Sequence, residues 1–132
     1  MRTGPHGGRA FLGVAAVLLL SIVCGCESAD GSQPGHSVPG GKAERGREMI
    51  SQYGCGSCHD VPGVQDAHAL VGPPLYHFDR RTYIAGVLPN DLESLMTWIM
   101  SPQRVIPGNA MPDMGVSARD ARDIAAYLYT LR

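Results

Sequence analysis

Cys55-Gly56-Ser57-Cys58-His59 is the stretch of this 132-residue chain best equipped for chemistry. Two thiols three residues apart can add to the two vinyl groups of one porphyrin, and a histidine beside the second can give an axial nitrogen to its iron. On a helical turn, residues three and four apart share one face at roughly 5–6 Å between Cβ atoms, so Cys55, Cys58 and His59 would point at the same flat cofactor. The pattern predicts one covalently bound haem c. A redox dithiol would need a βαβ setting, and no alternating β-rich run lies nearby. A zinc site would need a second close ligand pair, whereas His68 and His77 stand nine residues apart.

A second iron ligand is available downstream. Residues 102–115 are too rich in proline and glycine to be helix, yet they carry Met111 and Met114. A thioether is a soft neutral ligand that favours reduced iron, so a His/Met pair raises the reduction potential and closes the sixth position. Chemistry alone does not choose between the two methionines. Met49, Met96 and Met100 fall in helical segments, where methionine is ordinarily core filler.

Three helices are expected to position these groups. The first spans about residues 42–53, with Ala43, Met49 and Ile50 apolar among charges, and runs directly into the haem motif. Gly46 inside it costs about 1 kcal/mol relative to alanine, which suggests a close helix contact. The second is signalled by Asn90 as N-cap with Glu93 three residues on, followed by Leu92, Leu95, Met96 and Ile99 and a stop at Pro102. The third starts at Ser117 with Asp120 completing a cap, and its stripe is Ala121, Ile124, Ala125, Tyr127, Leu128 and Leu131. Nothing between these segments demands a strand.

The remainder reads as export and tethering. Arg2 and Arg9 precede an apolar run at residues 10–23, shorter than the ~20 residues of a membrane span, so residues 1–25 are expected to be a signal peptide. Val23-Cys24-Gly25-Cys26 resembles a lipobox, which makes Cys26 the candidate for lipidation and a membrane tether. Residues 26–41 lack hydrophobic periodicity and read as a flexible linker, with His36 a solvated side chain in it. All of this places the domain in the periplasm or elsewhere outside the cytoplasmic membrane. Without Arg2 and Arg9, nine basic residues face twelve acidic ones, a formal −3, and Lys42 is the only lysine. Nucleic-acid binding is unsupported by that balance. Two phenylalanines and one tryptophan are few for a core, and a buried porphyrin would supply the missing apolar bulk.

Taken together, Cys55-Gly56-Ser57-Cys58-His59, Gly72-Pro73-Pro74-Leu75, Asn109-Ala110-Met111-Pro112 and Ile124-Ala125-Ala126-Tyr127-Leu128 resemble a class I bacterial mono-haem cytochrome c over residues 42–132. The resemblance implies an all-α small cytochrome c fold, three or more helices around one covalently bound haem. It also implies that Met111, before a proline, is the distal ligand, and that the Pro73 carbonyl accepts the second N–H of His59. Gly46 would meet Tyr127 where the first and last helices cross. Trp98, Arg80, Arg81 and Tyr83 become candidates near the haem propionates. The implied role is single-electron transfer between respiratory partners such as a cytochrome oxidase, a bc1-type complex or a periplasmic dehydrogenase, with no substrate transformed by the chain itself. The alternative is a haem subunit or domain of a redox enzyme, a peroxidase or a terminal oxidase. Residues 80–90 are similar to those of cytochrome c domains associated with terminal oxidases.

Overall fold

The first and last helices, α1 (Ala43–Gln52) and α4 (Ala118–Leu128), cross against each other in the computed structural model, which describes residues 36–132. The expected signal peptide at 1–25, Cys26 and the first part of the linker lie outside the described residues. At the crossing, α1 buries Met49 and Ile50, and α4 buries Ala121, Ile124, Ala125, Tyr127 and Leu128. Leu131, expected on that stripe, lies beyond the helix and is half-buried. A Cβ on Gly46 would lie 1.9 Å from the Asp123 carbonyl oxygen and 2.9 Å from the Ile124 nitrogen. The glycine therefore meets the α4 backbone at Asp123 and Ile124, one turn before Tyr127. The Tyr127 hydroxyl donates to the Pro62 carbonyl at 2.6 Å.

Polar groups pin the same crossing. Arg45 donates to Asp123 Oδ2 and Asp120 Oδ1, each at 2.5 Å, and the Lys42 backbone N–H donates to Asp123 Oδ1 at 2.8 Å. Asp120 also accepts from Tyr53 and from Ser117. Those Ser117, Tyr53 and Arg45 hydrogen bonds hold the Asp120 carboxyl down at about 2. Ser117 caps α4 as expected, its hydroxyl accepting from the Asp120 N–H.

Several elements differ from the sequence expectation. β1 (Tyr83–Ile84) and β2 (Leu88–Pro89) form an antiparallel hairpin, Tyr83 opposite Pro89 and Ile84 opposite Leu88. Its turn places Ala85 and Gly86 both at positive φ, 51° and 75°, as a type I′ turn requires. Two-residue strands are too short to show alternation, which is why periodicity misses them. α2 (Leu92–Met100) is capped by Asp91, which accepts from the Ser94 N–H at 2.8 Å, and not by Asn90. Asn90 is buried: its amide donates to the Phe78 and Arg81 carbonyls at 2.9 Å and accepts from the Tyr129 hydroxyl at 3.1 Å. One residue thereby ties the hairpin to the 3₁₀ turn Phe78–Arg80 and to the end of α4.

Pro102 ends α2 as expected but also opens α3 (Pro102–Val105), a single turn inside the stretch expected to be loop. Proline suits a first helical position because its fixed φ is already helical and the N–H it lacks would have no partner there. At the other end, His36 is not a solvated linker residue: its ring stacks on Tyr129 at 4.1 Å and 13°. Val38 packs against the core, so residues 36–41 lie on the domain. Among the described residues no helix is long and apolar enough to cross a membrane.

Candidate haem-attachment site

The haem motif follows α1 through a left-handed residue, Gly54, at φ 69°. Cys55–Ser57 then form a 3₁₀ turn in which the Cys55 carbonyl accepts from both the Cys58 and His59 N–H groups, at 3.2 and 3.0 Å. Both thiols are free and half-buried, and burial pushes the Cys55 thiol up. Gly56 backs onto residue 67: a Cβ there would lie 2.6 Å from Ala67 Cβ. The fully buried Val61, which donates to the Ala67 carbonyl at 2.9 Å, anchors that supporting loop.

A second segment runs alongside the motif. The Gly72 N–H donates to the Cys58 carbonyl at 2.7 Å, and the Leu75 N–H to the Asp60 carbonyl at 2.8 Å. The pairing brings His59 Nδ1 to 2.8 Å from the Pro73 carbonyl oxygen. A carbonyl only accepts, so Nδ1 carries the proton and Nε2 keeps the lone pair a metal needs. Gly72 makes the approach sterically feasible, because a Cβ there would lie 2.4 to 2.9 Å from three atoms of the imidazole. Asp60 accepts from the Tyr76 hydroxyl, which raises that phenol, and lies 3.5 Å from His68.

The methionine loop is held by two side-chain amides. Asn109 Oδ1 accepts from the Met111 N–H at 2.7 Å, while Asn109 Nδ2 donates to the Pro102 and Ile106 carbonyls. Gln103 Nε2 donates to the Met111 carbonyl at 2.7 Å. Met111 is half-buried, whereas Met114 is 43% exposed. Of the propionate candidates, Arg80 is exposed, Trp98 is half-buried on α2 and Tyr83 is 60% exposed on β1. Arg81 donates to the Pro74 and Tyr76 carbonyls, with its guanidinium 5.2 Å from the Phe78 ring centroid. Burial lowers its basicity. Sequence reasoning overlooks the steric role of Gly72 and the loop contacts of Gln103. A Gly-Pro pair signals a turn, and a glutamine signals nothing until its partners are in place.

Several apolar side chains of the domain are left only partly covered. Leu75, Leu88, Leu92, Met96, Trp98 and Met100 pack on the core yet stay only partly buried, and Leu70 and Val71, just before Gly72, are each 74% exposed. Two thiols and an imidazole with a free Nε2 supply the donors a covalently bound haem requires.

A mostly helical domain with this donor set defines a protein that attaches haem through its own cysteines. The chain belongs to the cytochrome c family, whose sequence model, described as Cytochrome c, matches residues 43–132. It has the small cytochrome c fold and the covalently bound haem c of that family. It is 37% identical over 91 residues to cytochrome c oxidase subunit 2 of Alkalihalophilus pseudofirmus, covering 68% of this chain and 26% of that protein. With cytochrome c oxidase subunit 2 of Bacillus subtilis it shares 34% over 89 residues, 66% of this chain and 25% of that one. Cytochrome c of Euglena viridis is 31% identical over 107 residues, 70% of this chain and 99% of its own length. The chain thus spans about a quarter of the oxidase subunits it resembles.

Proposed function

We propose that Cys55 and Cys58 carry the haem thioethers, that His59 Nε2 and Met111 are the axial ligands, and that the chain passes single electrons to a cytochrome c oxidase outside the cytoplasmic membrane. The observation that carries the proximal half is the 2.8 Å contact between His59 Nδ1 and the Pro73 carbonyl, which leaves Nε2 as the coordinating nitrogen. The distal half rests on Met111, whose backbone N–H and carbonyl are both held, in contrast to the exposed Met114. Bound haem supplies a one-electron iron couple. The protein's part is to keep the imidazole oriented, to hold the thioether against dissociation and to shield the site with apolar side chains. Similarity to oxidase subunits supports an oxidase as electron acceptor.

The test is the absorption spectrum, in both oxidation states, of the holoprotein expressed from the full-length sequence in an exporting host and purified. The ferric form is expected to show the weak far-red band of methionine–iron bonding, lost in Met111→Ala and kept in Met114→Ala. Loss in Met114→Ala alone, or rapid carbon monoxide binding by the unmutated ferrous protein, refutes the assignment. The intact mass of the same protein tests export: cleavage before Cys26 with a lipid on its thiol is expected, and a full-length mass refutes it.

The same relatives favour a second reading, in which the chain works as a bound part of an oxidase. Co-purification of an oxidase with the tagged chain in constant proportion, persisting at high salt, would support that reading over a free carrier.

A further inference from the structure

Gln103 sits on α3, and its side chain spans the loop that follows. Nε2 donates to the Asn109 carbonyl at 2.9 Å and to the Met111 carbonyl at 2.7 Å, while Oε1 accepts from the Gly108 N–H at 3.0 Å. Its backbone N–H faces Asp113 Oδ1 at 3.3 Å. The amide orientation is fixed by its partners, since a flipped amide would set oxygen against two carbonyls and NH₂ against an N–H. One primary amide offers two donors, and here both go to loop carbonyls. Asn109 holds the Met111 N–H from the other side. The backbone at Met111 is thus clamped at both polar groups, so its side chain departs from one fixed origin.

We propose that Gln103 is a positioning residue that restrains Met111 from leaving the iron. The proposal rests on Met111 being the distal ligand. A thioether is a weak ligand, and an external ligand can enter only when it detaches. Detachment is easier when the backbone that carries the methionine is free to swing. Three hydrogen bonds of ordinary net strength are together sufficient to change such an opening equilibrium on the order of tenfold. A residue with a merely structural role would lower global stability and leave the opening equilibrium alone.

The experiment is imidazole titration of the ferric full-length holoprotein, read by loss of the far-red band. Gln103→Leu, which keeps a side chain of comparable bulk but removes all three hydrogen bonds, is expected to bind imidazole on the order of tenfold more tightly, with its far-ultraviolet circular dichroism unchanged. Arg104→Ala, an exposed neighbour on the same helix, is expected to match the unmutated protein. Should Gln103→Leu fail to fold, Gln103→Glu keeps the acceptor for Gly108 but turns an oxygen toward the two carbonyls, and must show the same tightening at neutral pH. Unchanged imidazole affinity in a folded Gln103 variant overturns the proposal. Retention of the far-red band in Met111→Ala overturns the ligand assignment instead, so the two failures are separable.

Discussion

Replacing Gly46 by alanine tests the helix crossing that organises the domain. The added carbon would stand 1.9 Å from the Asp123 carbonyl oxygen, 2.4 Å from the Asp123 carbonyl carbon and 2.9 Å from the Ile124 nitrogen. A carbon–oxygen contact needs about 3.3 Å, so α1 and α4 must part by roughly 1.4 Å at this point. All three obstructing atoms are backbone, so no rotamer change can relieve the overlap. Overpacking a close contact costs about 1–3 kcal/mol, and a backbone obstruction belongs at the upper end of that range. Alanine recovers about 1 kcal/mol of helix propensity, leaving a net loss of about 2 kcal/mol. For a domain of this size that corresponds to a melting temperature lower by about 8–16 °C. Thermal unfolding of the haem-loaded chain, followed by circular dichroism at a helical wavelength, reads the shift directly. A melting temperature equal to or above that of the unmutated protein would refute the reasoning, because propensity would then outweigh the contact.

Two other perturbations probe buried polar groups. Asn90→Ala leaves the Phe78 and Arg81 carbonyls and the Tyr129 hydroxyl without their partner, and is expected to cost about 3 kcal/mol in denaturant unfolding; a loss under 1 kcal/mol would show that water replaces it. Asp120 is held at about 2, against 3.8 for an ordinary aspartate, by Ser117, Tyr53 and Arg45. Its folded-state value is depressed, so its stabilisation is complete above the unfolded value and disappears as pH falls through the folded one. The melting-temperature gap between the unmutated protein and Asp120→Asn should therefore stay constant above about pH 5 and narrow between about pH 4 and 2.5. A gap that persists at full size at the acid end would show that Asp120 is not the titrating group.

The haem motif and the long helices are local properties, and the sequence by itself determines them. Cys55, Cys58 and His59 announce their chemistry by spacing alone, and α4 announces itself through its Ser117 cap and the apolar stripe from Ala121 to Leu128. Features that depend on partners distant in the chain are not readable in that way. Asn90 and Asp91 are both good capping residues, and only the carbonyls of Phe78 and Arg81 and the hydroxyl of Tyr129 decide that Asn90 turns inward and Asp91 caps. Gly46 signals a close approach, but the Asp123 carbonyl as its target depends on how two helices separated by more than sixty residues cross. Gly72 and Gln103 gain their roles only when the chain brings an imidazole ring against one and the Met111 carbonyl against the other. Spacing encodes what neighbours along a helix can do together, whereas steric fit and hydrogen-bond satisfaction are set by atoms that meet only in the folded chain.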